Sequence, residues 1–312
     1  MKKTTVFRKM LDNYKQKMII APGVHDPYAA RIAEKLGYEI LYMSGASTSM
    51  SRLGMADIGL MTSTEIQMNA KSITSVTKSP LLCDSDTGYG NAINVMRTIR
   101  DYISAGVSGV HIEDQTWPKR CGHLKGKTVI SKEEMIGRIK AAKETIEDVD
   151  PDFILVGRTD IRNALNGTMD KAIDRLNSYL DAGADIVFAD GLISKEEVKR
   201  MTKEVNGPTL YHPTGMTPRL TLDECKEIGV AILIYPFASF HAMAISVWDF
   251  LADLKERNTY AQIDFENSIR EHPLGDLRKL FDLAGLEEFE KMEKRLLPEE
   301  QTKRRYEETI GL

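Results

Sequence analysis

The sequence lacks any run of apolar residues long enough to cross a bilayer. Its first ten residues, MKKTTVFRKM, are basic, but no apolar segment of signal-peptide length follows them. The formal net charge is only −4, so the charge balance does not favour nucleic acid or an anionic membrane as a partner. We therefore expect a cytoplasmic protein whose partner is a small molecule.

Cysteine is also scarce. Cys83, Cys121 and Cys225 are too few and too scattered for a disulfide framework, and no CxxC pair suggests a zinc site. In a reducing compartment, a lone cysteine is either a small buried hydrophobe or a reactive thiol. The residues around each cysteine indicate whether it is a buried hydrophobe or a reactive thiol.

What the chain does contain is a regular alternation of short apolar runs and longer amphipathic stretches. Eight runs of strand length end in polar residues or glycine, and they lie at residues 18–23, 39–45, 80–86, 109–114, 154–160, 185–191, 209–215 and 231–237. Their continuous apolar character is typical of parallel strands that are buried on both faces. Helical patterns separate them, and several end in Ala-Gly or Leu-Gly, as helices commonly do.

This alternation predicts an α/β protein with a (β/α)₈ TIM barrel. No GxGxxG or GxxxxGK[ST] motif follows any of the strands, so the usual nucleotide-binding sites are not expected. We predict a single barrel domain over residues 1–312, in which residues 249–312 form a charged, Leu-rich helical extension. That extension would cap the barrel or pack on a neighbouring subunit.

Catalytic groups of such barrels lie at the carboxyl ends of the strands. The third strand ends in Asp84-Ser85-Asp86, where period-two spacing predicts two carboxylates on one face. Paired carboxylates suit Mg²⁺, with Mn²⁺ as an option, although one of them could instead cap the next helix.

The fourth and fifth strands also end in charged or ionisable side chains. His111 and Glu113 share a face, so Glu113 can serve the same cation, whereas His111 is equally compatible with a satisfied core histidine. Arg158 follows a buried apolar stretch and needs an acidic partner. Asp160, or Glu113 on the adjacent strand, could pair with it, and Arg158 could also bind a substrate carboxylate.

The second strand ends in Tyr42 and then small residues. The backbone N–H groups of Ser44, Gly45 and Ala46 could hold an anionic oxygen, but for this segment alone an ordinary strand-to-helix turn is the better explanation. The most specific segment is KRCGHLKGK, residues 119–127, after the fourth strand. Its basic residues predict a lowered pKa for Cys121, and its glycines predict a loop that closes over a ligand, although a solvated basic loop is the alternative.

Together these residues resemble the isocitrate lyase/phosphoenolpyruvate mutase superfamily, in its lyase branch of 2-methylisocitrate and 2,3-dimethylmalate lyases. The matching segments are residues 42–45, 53–59, 84–88, 111–115, 119–123 and 158–160. The likeness runs from about Phe7 to the final helices. The Lys-Arg-Cys-Gly-His run is its specific part, because phosphonate-forming mutases lack it.

The resemblance implies a Mg²⁺-dependent barrel with a mobile Cys121 loop, in a tetramer built from dimers that exchange their last barrel helix. It implies that Asp84, Asp86 and Glu113 hold the metal, with Asp57 nearby. It also implies substrate binding, for which the expected residues are Ser44, Gly45, Ala46, Lys119, Arg120, Gly122, Asp190 and His212. Asp190 and His212 depart from the pattern, because lyases typically have glutamate and asparagine there.

The expected reaction is retro-aldol (retro-Claisen) cleavage of a substituted malate or of 2-methylisocitrate to a 2-oxo acid such as pyruvate and a carboxylate. Cys121 would be the general acid, and Tyr42 or a carboxylate would be the base. Arg158, His123 and Glu113 complete the expected catalytic set. The alternatives are an oxaloacetate hydrolase, a phosphonate P–C bond enzyme and a barrel that binds a metabolite without catalysis.

Overall fold

The computed structural model describes residues 1–311. Within these residues it contains eight β-strands, β1 (Ile19–Pro22), β2 (Leu41–Met43), β3 (Leu81–Asp84), β4 (Gly109–Glu113), β5 (Ile154–Thr159), β6 (Ile186–Ala189), β7 (Leu210–Tyr211) and β8 (Ile232–Tyr235). Each strand lies inside one of the eight apolar runs of the sequence. Their burial on both faces explains why these runs are continuous instead of alternating.

The strands form a closed parallel wall. Their order is β2-β3-β4-β5-β6 in one sheet and β1-β8-β7 in the other. Isolated parallel bridges, Gly23 with Tyr42 and Val187 with Thr209, join the two sheets. The prediction of a (β/α)₈ barrel is therefore confirmed.

Helices surround and follow the strands. They are α1 (Lys3–Asp12), α2 (Pro27–Lys35), α3 (Gly45–Leu53), α4 (Ser63–Val76), α5 (Ala92–Ser104), α6 (Lys132–Val149), α7 (Met169–Asp181), α8 (Lys195–Glu204), α9 (Leu222–Ile228), α10 (Ala238–Arg257), α11 (Thr259–Ile269), α12 (Leu277–Leu283), α13 (Leu286–Leu296) and α14 (Glu299–Glu307). Side-chain caps begin many of them; Asn91, for example, accepts hydrogen bonds from the N–H groups of Ile93 and Asn94.

The chain divides into two compact units, Met1–His241 and a second unit that begins at Ala242. The first unit holds the barrel and its apolar core. In the second unit most apolar side chains of the helices are exposed, and Trp248 is 77% exposed. In the described part of the chain, no helix combines the length and the apolar character needed to span a membrane. The prediction of one domain with an extension from residue 249 stays a prediction.

Candidate active site

A cavity of about 40 Å³ lies where the carboxyl ends of the strands converge. Side chains from six strand ends and from the loop between β4 and α6 line it. Of the residues expected from the sequence, those in the lining are Tyr42, Ser44, Ala46, Asp57, Asp84, Cys121, Gly122, His123, Arg158, Asp190 and His212. Arg120 is exposed and does not line the cavity, so the structure gives its side chain no contact with a ligand there.

Asp84 and Asp86 are both buried at this end of the barrel. Asp84 is the last residue of β3, and its carboxylate accepts hydrogen bonds from the N–H groups of Gly45 and Asp86. Asp86 has a φ of 48°, so the chain has left the strand there. The expectation of two carboxylates at period-two positions of a strand was therefore wrong, and a left-handed turn is what brings Asp86 to the site.

The two carboxyl groups differ in their electrostatics. Burial would raise the pKa of Asp84, but His111, Lys119 and the other nearby cationic and N–H groups lower it to about 2. Burial raises the pKa of Asp86 to about 6, and Lys119 only partly offsets this. The two carboxyl groups of the pair therefore titrate in separate pH ranges, with Asp84 the more acidic.

Lys119 supplies a buried cation to this cluster. Its Nζ lies 2.7 Å from Oδ1 of Asp86 and 2.8 Å from Oδ1 of Asp57. We expected Lys119 to bind substrate, whereas the structure places its ammonium group between two carboxylates. The carboxylates outweigh the effect of burial and keep the pKa of Lys119 well above its usual value.

The acidic residues fit a hard divalent cation. Neither carboxylate oxygen of Glu113 has a hydrogen-bond partner, although the side chain is fully buried. Across residues 1–311, Asp84, Asp86 and Glu113 do not form a group whose ligand oxygens all lie within 4.8 Å of one another. A cation here would therefore be held partly through water, which is how Mg²⁺ is commonly bound.

Arg158 is the penultimate residue of β5, where it is in register with Glu113 on β4. Its Nε donates to Oδ2 of Asp160 at 2.8 Å, and its Nη2 lies 2.6 Å from Oδ2 of Asp190 and 3.3 Å from Oε2 of Glu113. Both acids that the sequence offered as partners therefore contact it, together with Asp190. Three carboxylates compensate the charge of this one buried guanidinium.

Tyr42 and His111 form a hydrogen-bonded pair, with 2.8 Å between the phenol oxygen and Nε2. Burial, together with Asp84, raises the pKa of Tyr42 well above its usual value, and burial lowers the pKa of His111 to about 4. Tyr42 is thus a protonated phenol at neutral pH and His111 is a neutral imidazole. A phenol in this state is better suited to donate a hydrogen bond than to act as the expected base.

The loop between β4 and α6 lies folded over the cavity. The Cys121 N–H donates to the carbonyl of Asp57 at 3.0 Å, and the side chain of Gln115 bonds both the N–H and the carbonyl of Arg120. Lys127 donates to the carbonyl of Gly122. These bonds hold Cys121 against the ligand cavity.

The expected low pKa of Cys121 was wrong. Burial raises the pKa of this thiol to about 11, because the folded loop removes it from water and the carboxylates of Asp57 and Asp190 oppose a thiolate. The N–H of His123 and the charge of Lys119 only partly offset this rise in pKa, and Arg120 is exposed to solvent. Cys121 is therefore a protonated thiol at neutral pH, which is the form that a general acid requires.

Asp190 and His212, the two departures from the lyase pattern, lie side by side. Oδ1 of Asp190 is 3.3 Å from Nε2 of His212, and the ring of His212 stands 5.5 Å from that of His123. Burial would raise the pKa of Asp190, but Arg158 and then His212 hold it well below its usual value. Asp190 is therefore charged.

The sequence reasoning missed part of the lining. The cavity is also lined by Phe188, Thr214, Ile234, Pro236 and Phe237. Thr214, Pro236 and Phe237 follow β7 and β8, so applying the strand-end rule to those two strands would have found them. The side chains of Phe188, Ile234, Pro236 and Phe237 give the cavity an apolar part of its wall.

Comparison with known proteins places the chain in a family. The phosphoenolpyruvate phosphomutase family matches residues 7–254. The 2,3-dimethylmalate lyase of Eubacterium barkeri is 40% identical over 280 residues, which cover 89% of this chain and 93% of that protein. A 2-methylisocitrate lyase of Aeropyrum pernix is 38% identical over 288 residues, which cover 92% of this chain and 88% of that protein.

Solved structures agree with these relatives. A crystal structure of 2,3-dimethylmalate lyase superposes with a TM-score of 0.89 at 32% identity, covering 100% of this chain and 99% of that one. A structure of oxaloacetate acetylhydrolase with the inhibitor 3,3-difluorooxalacetate superposes with a TM-score of 0.83 at 35% identity. The match covers 93% of this chain and 95% of that one. The chain therefore belongs to the phosphoenolpyruvate mutase/isocitrate lyase superfamily and is a carbon–carbon lyase.

Proposed function

We propose that this enzyme cleaves a small 2-hydroxy dicarboxylate of the substituted-malate class, with Mg²⁺ held by Asp84, Asp86 and Glu113. The observation that carries the proposal is the meeting of Cys121, Asp84 and Arg158 in one cavity beneath a folded loop. The 2,3-dimethylmalate lyase relatives support the substrate class. A cavity of about 40 Å³ with an apolar wall suits methyl groups better than a third carboxylate.

The bound cation would acidify the substrate hydroxyl and neutralise the oxygen that becomes the ketone. The hydroxyl proton passes to a carboxylate, for which we assign Glu113, because neither of its oxygens accepts a hydrogen bond and Arg158 reaches one of them only as an ion-pair contact at 3.3 Å. Tyr42, held by His111, donates a hydrogen bond to the substrate. Ser44 and Ala46 line the cavity, so their N–H groups would hold the 2-oxo acid portion, whereas the N–H of Gly45 is bonded to Asp84.

The bond between C2 and C3 then breaks, and its electron pair forms the enolate of the leaving carboxylate. The Cys121 thiol gives its proton to C3 of that enolate and is left as a thiolate. The proton taken up by Glu113 returns through solvent to the thiolate after the products leave, so the cycle is balanced. Arg158 stabilises the negative charge on the carboxylate end, and the folded loop excludes water from the enolate.

A second candidate activity is the hydrolysis of oxaloacetate to oxalate and acetate. The similarity to oxaloacetate acetylhydrolase favours it, and the small cavity would accept that substrate. The same carboxylates would then hold the cation beside the hydrated ketone. Release of oxalate from oxaloacetate, without release of pyruvate from the substituted malates, would identify this activity.

Helix α10 and the helices after it carry exposed apolar side chains, among them Trp248, Leu251 and Ile263. Such side chains suit an interface between subunits. We propose a cytoplasmic homotetramer built from two dimers that exchange a helix. Light scattering of the purified enzyme tests the assembly. The activity is tested by coupled detection of pyruvate from 2,3-dimethylmalate and from 2-methylisocitrate, with Mg²⁺ and with EDTA.

A further inference from the structure

A second cluster of ligand atoms lies beside the acidic residues. His123 comes from the loop after β4, Asp190 from the end of β6, and His212 from the end of β7. One ligand atom of each lies within 4.8 Å of those of the other two, and within residues 1–311 no other His, Cys, Asp or Glu trio meets this criterion. Asp190 and His212 are only 4% and 5% exposed.

The polar atoms of this trio are short of partners. Oδ1 of Asp190, Nδ1 of His123 and Nδ1 of His212 are buried and have no hydrogen bond. Nε2 of His212 lies 3.3 Å from Oδ1 as an ion-pair contact. Buried polar groups are nearly always bonded, so unpartnered atoms in three converging side chains indicate a missing ligand.

The donor set determines which ligand fits. Two imidazoles and one carboxylate suit borderline transition metals such as Zn²⁺, whereas Mg²⁺ prefers oxygen ligands alone. Arg158 lies 2.6 Å from Oδ2 of Asp190, and Oδ1 has no hydrogen bond, which leaves Oδ1 for a cation.

We propose that His123, Asp190 and His212 form a site for a Zn²⁺-class cation, separate from the Mg²⁺ site. Because His123 belongs to the loop and the other two residues to the barrel, the cation fastens the loop in its folded position. All three residues line the substrate cavity, so the cation and the substrate exclude each other. The site itself does not depend on which substrate the enzyme cleaves.

The test uses Co²⁺ as a spectroscopic probe in the full-length enzyme, stripped of metal and then supplied with excess Mg²⁺ to fill the oxygen site. We expect visible ligand-field absorption that saturates at one Co²⁺ per chain, and displacement of Co²⁺ by Zn²⁺. In His123→Asn and in His212→Asn, the affinity falls at least about tenfold, since even the loss of an outer-shell partner weakens metal sites by ~10–100-fold.

The matched control is His272→Asn, an exposed histidine outside the barrel unit, which keeps the wild-type absorption. Circular dichroism checks that each variant is folded, and Asp190→Asn serves as the third ligand variant. Absence of Co²⁺ absorption under excess Mg²⁺, or wild-type absorption in folded His212→Asn, overturns the proposal. Failure to release pyruvate from any substrate would leave these spectra unchanged, so it bears on the lyase activity alone.

Discussion

Gly122 and Asp190 are packed so closely that a Cβ atom on Gly122 would overlap Oδ2 of Asp190, with Nη2 of Arg158 at 2.7 Å. The loop can therefore fold over the cavity only because residue 122 has no side chain. The neighbouring Cys121 takes its position from this contact and from its hydrogen bond to Asp57.

Replacing Gly122 with alanine tests that relationship. The added methyl group holds the loop away from Asp190 and displaces Cys121, and misplacement of a catalytic group by ~1 Å can cost on the order of 100-fold in rate. We expect kcat to fall by about that factor with an unchanged melting temperature, measured by steady-state kinetics and calorimetry. Gly137→Ala is the control, because nothing lies within 4 Å of a Cβ there; a comparable loss of kcat in it would contradict the argument.

Replacing Cys121 with serine removes the proposed proton donor and keeps its size. A general acid increases the rate of a reaction by roughly 10²–10⁴-fold, so kcat should fall by about that factor while Mg²⁺ binding is retained. Titration calorimetry with Mg²⁺ checks the second part. Cys225→Ala, in the core away from the cavity, should keep kcat near wild type. Turnover near wild type in Cys121→Ser would exclude the thiol from the chemistry.

Asp114 provides a stability test outside the chemistry. This buried carboxylate accepts hydrogen bonds from Oγ1 of Thr159, the N–H of Asp160, Nη1 of Arg175 and the hydroxyl of Tyr179. Removing one partner of a buried ion pair costs about 3–5 kcal/mol, so Asp114→Ala should lower the free energy of unfolding by that amount in urea titrations.

Asp101→Ala is the matched comparison, because it removes an exposed carboxylate that pairs with Arg97 one helical turn away. Such pairs contribute about 0.3–0.5 kcal/mol. If the two aspartate variants lost equal stability, the hydrogen bonds around Asp114 would not have the importance assigned to them.

The sequence predicted the barrel because eight apolar runs of strand length are a local pattern that the strands of the structure reproduce. The sequence did not predict side-chain positions that depend on a turn of the backbone or on contacts between residues distant in sequence. The turn at Asp86 places its carboxylate through a positive φ, which period-two reasoning cannot anticipate. Lys119 pairs with Asp57 across 62 positions of sequence.

The prediction of a lowered pKa for Cys121 was wrong for a related reason. The basic residues beside it in sequence predicted a stabilised thiolate, but the folded loop turns Arg120 to solvent and buries the thiol near Asp57 and Asp190. Charge next to a residue in sequence is therefore a poor guide when a loop decides which side chains face water. The proton-donor role proposed for Cys121 rests on a protonated thiol, which this burial favours.

The most direct test of the proposed reaction is pyruvate release from 2,3-dimethylmalate by metal-stripped enzyme, with and without Mg²⁺, followed with a coupled dehydrogenase. We expect no turnover in EDTA, full turnover with Mg²⁺, and less than about 1% of the wild-type rate in Asp84→Asn, since the metal and its carboxylates supply several kcal/mol of transition-state stabilisation. Pyruvate release that persists in EDTA, or that survives in Asp84→Asn, would contradict the account.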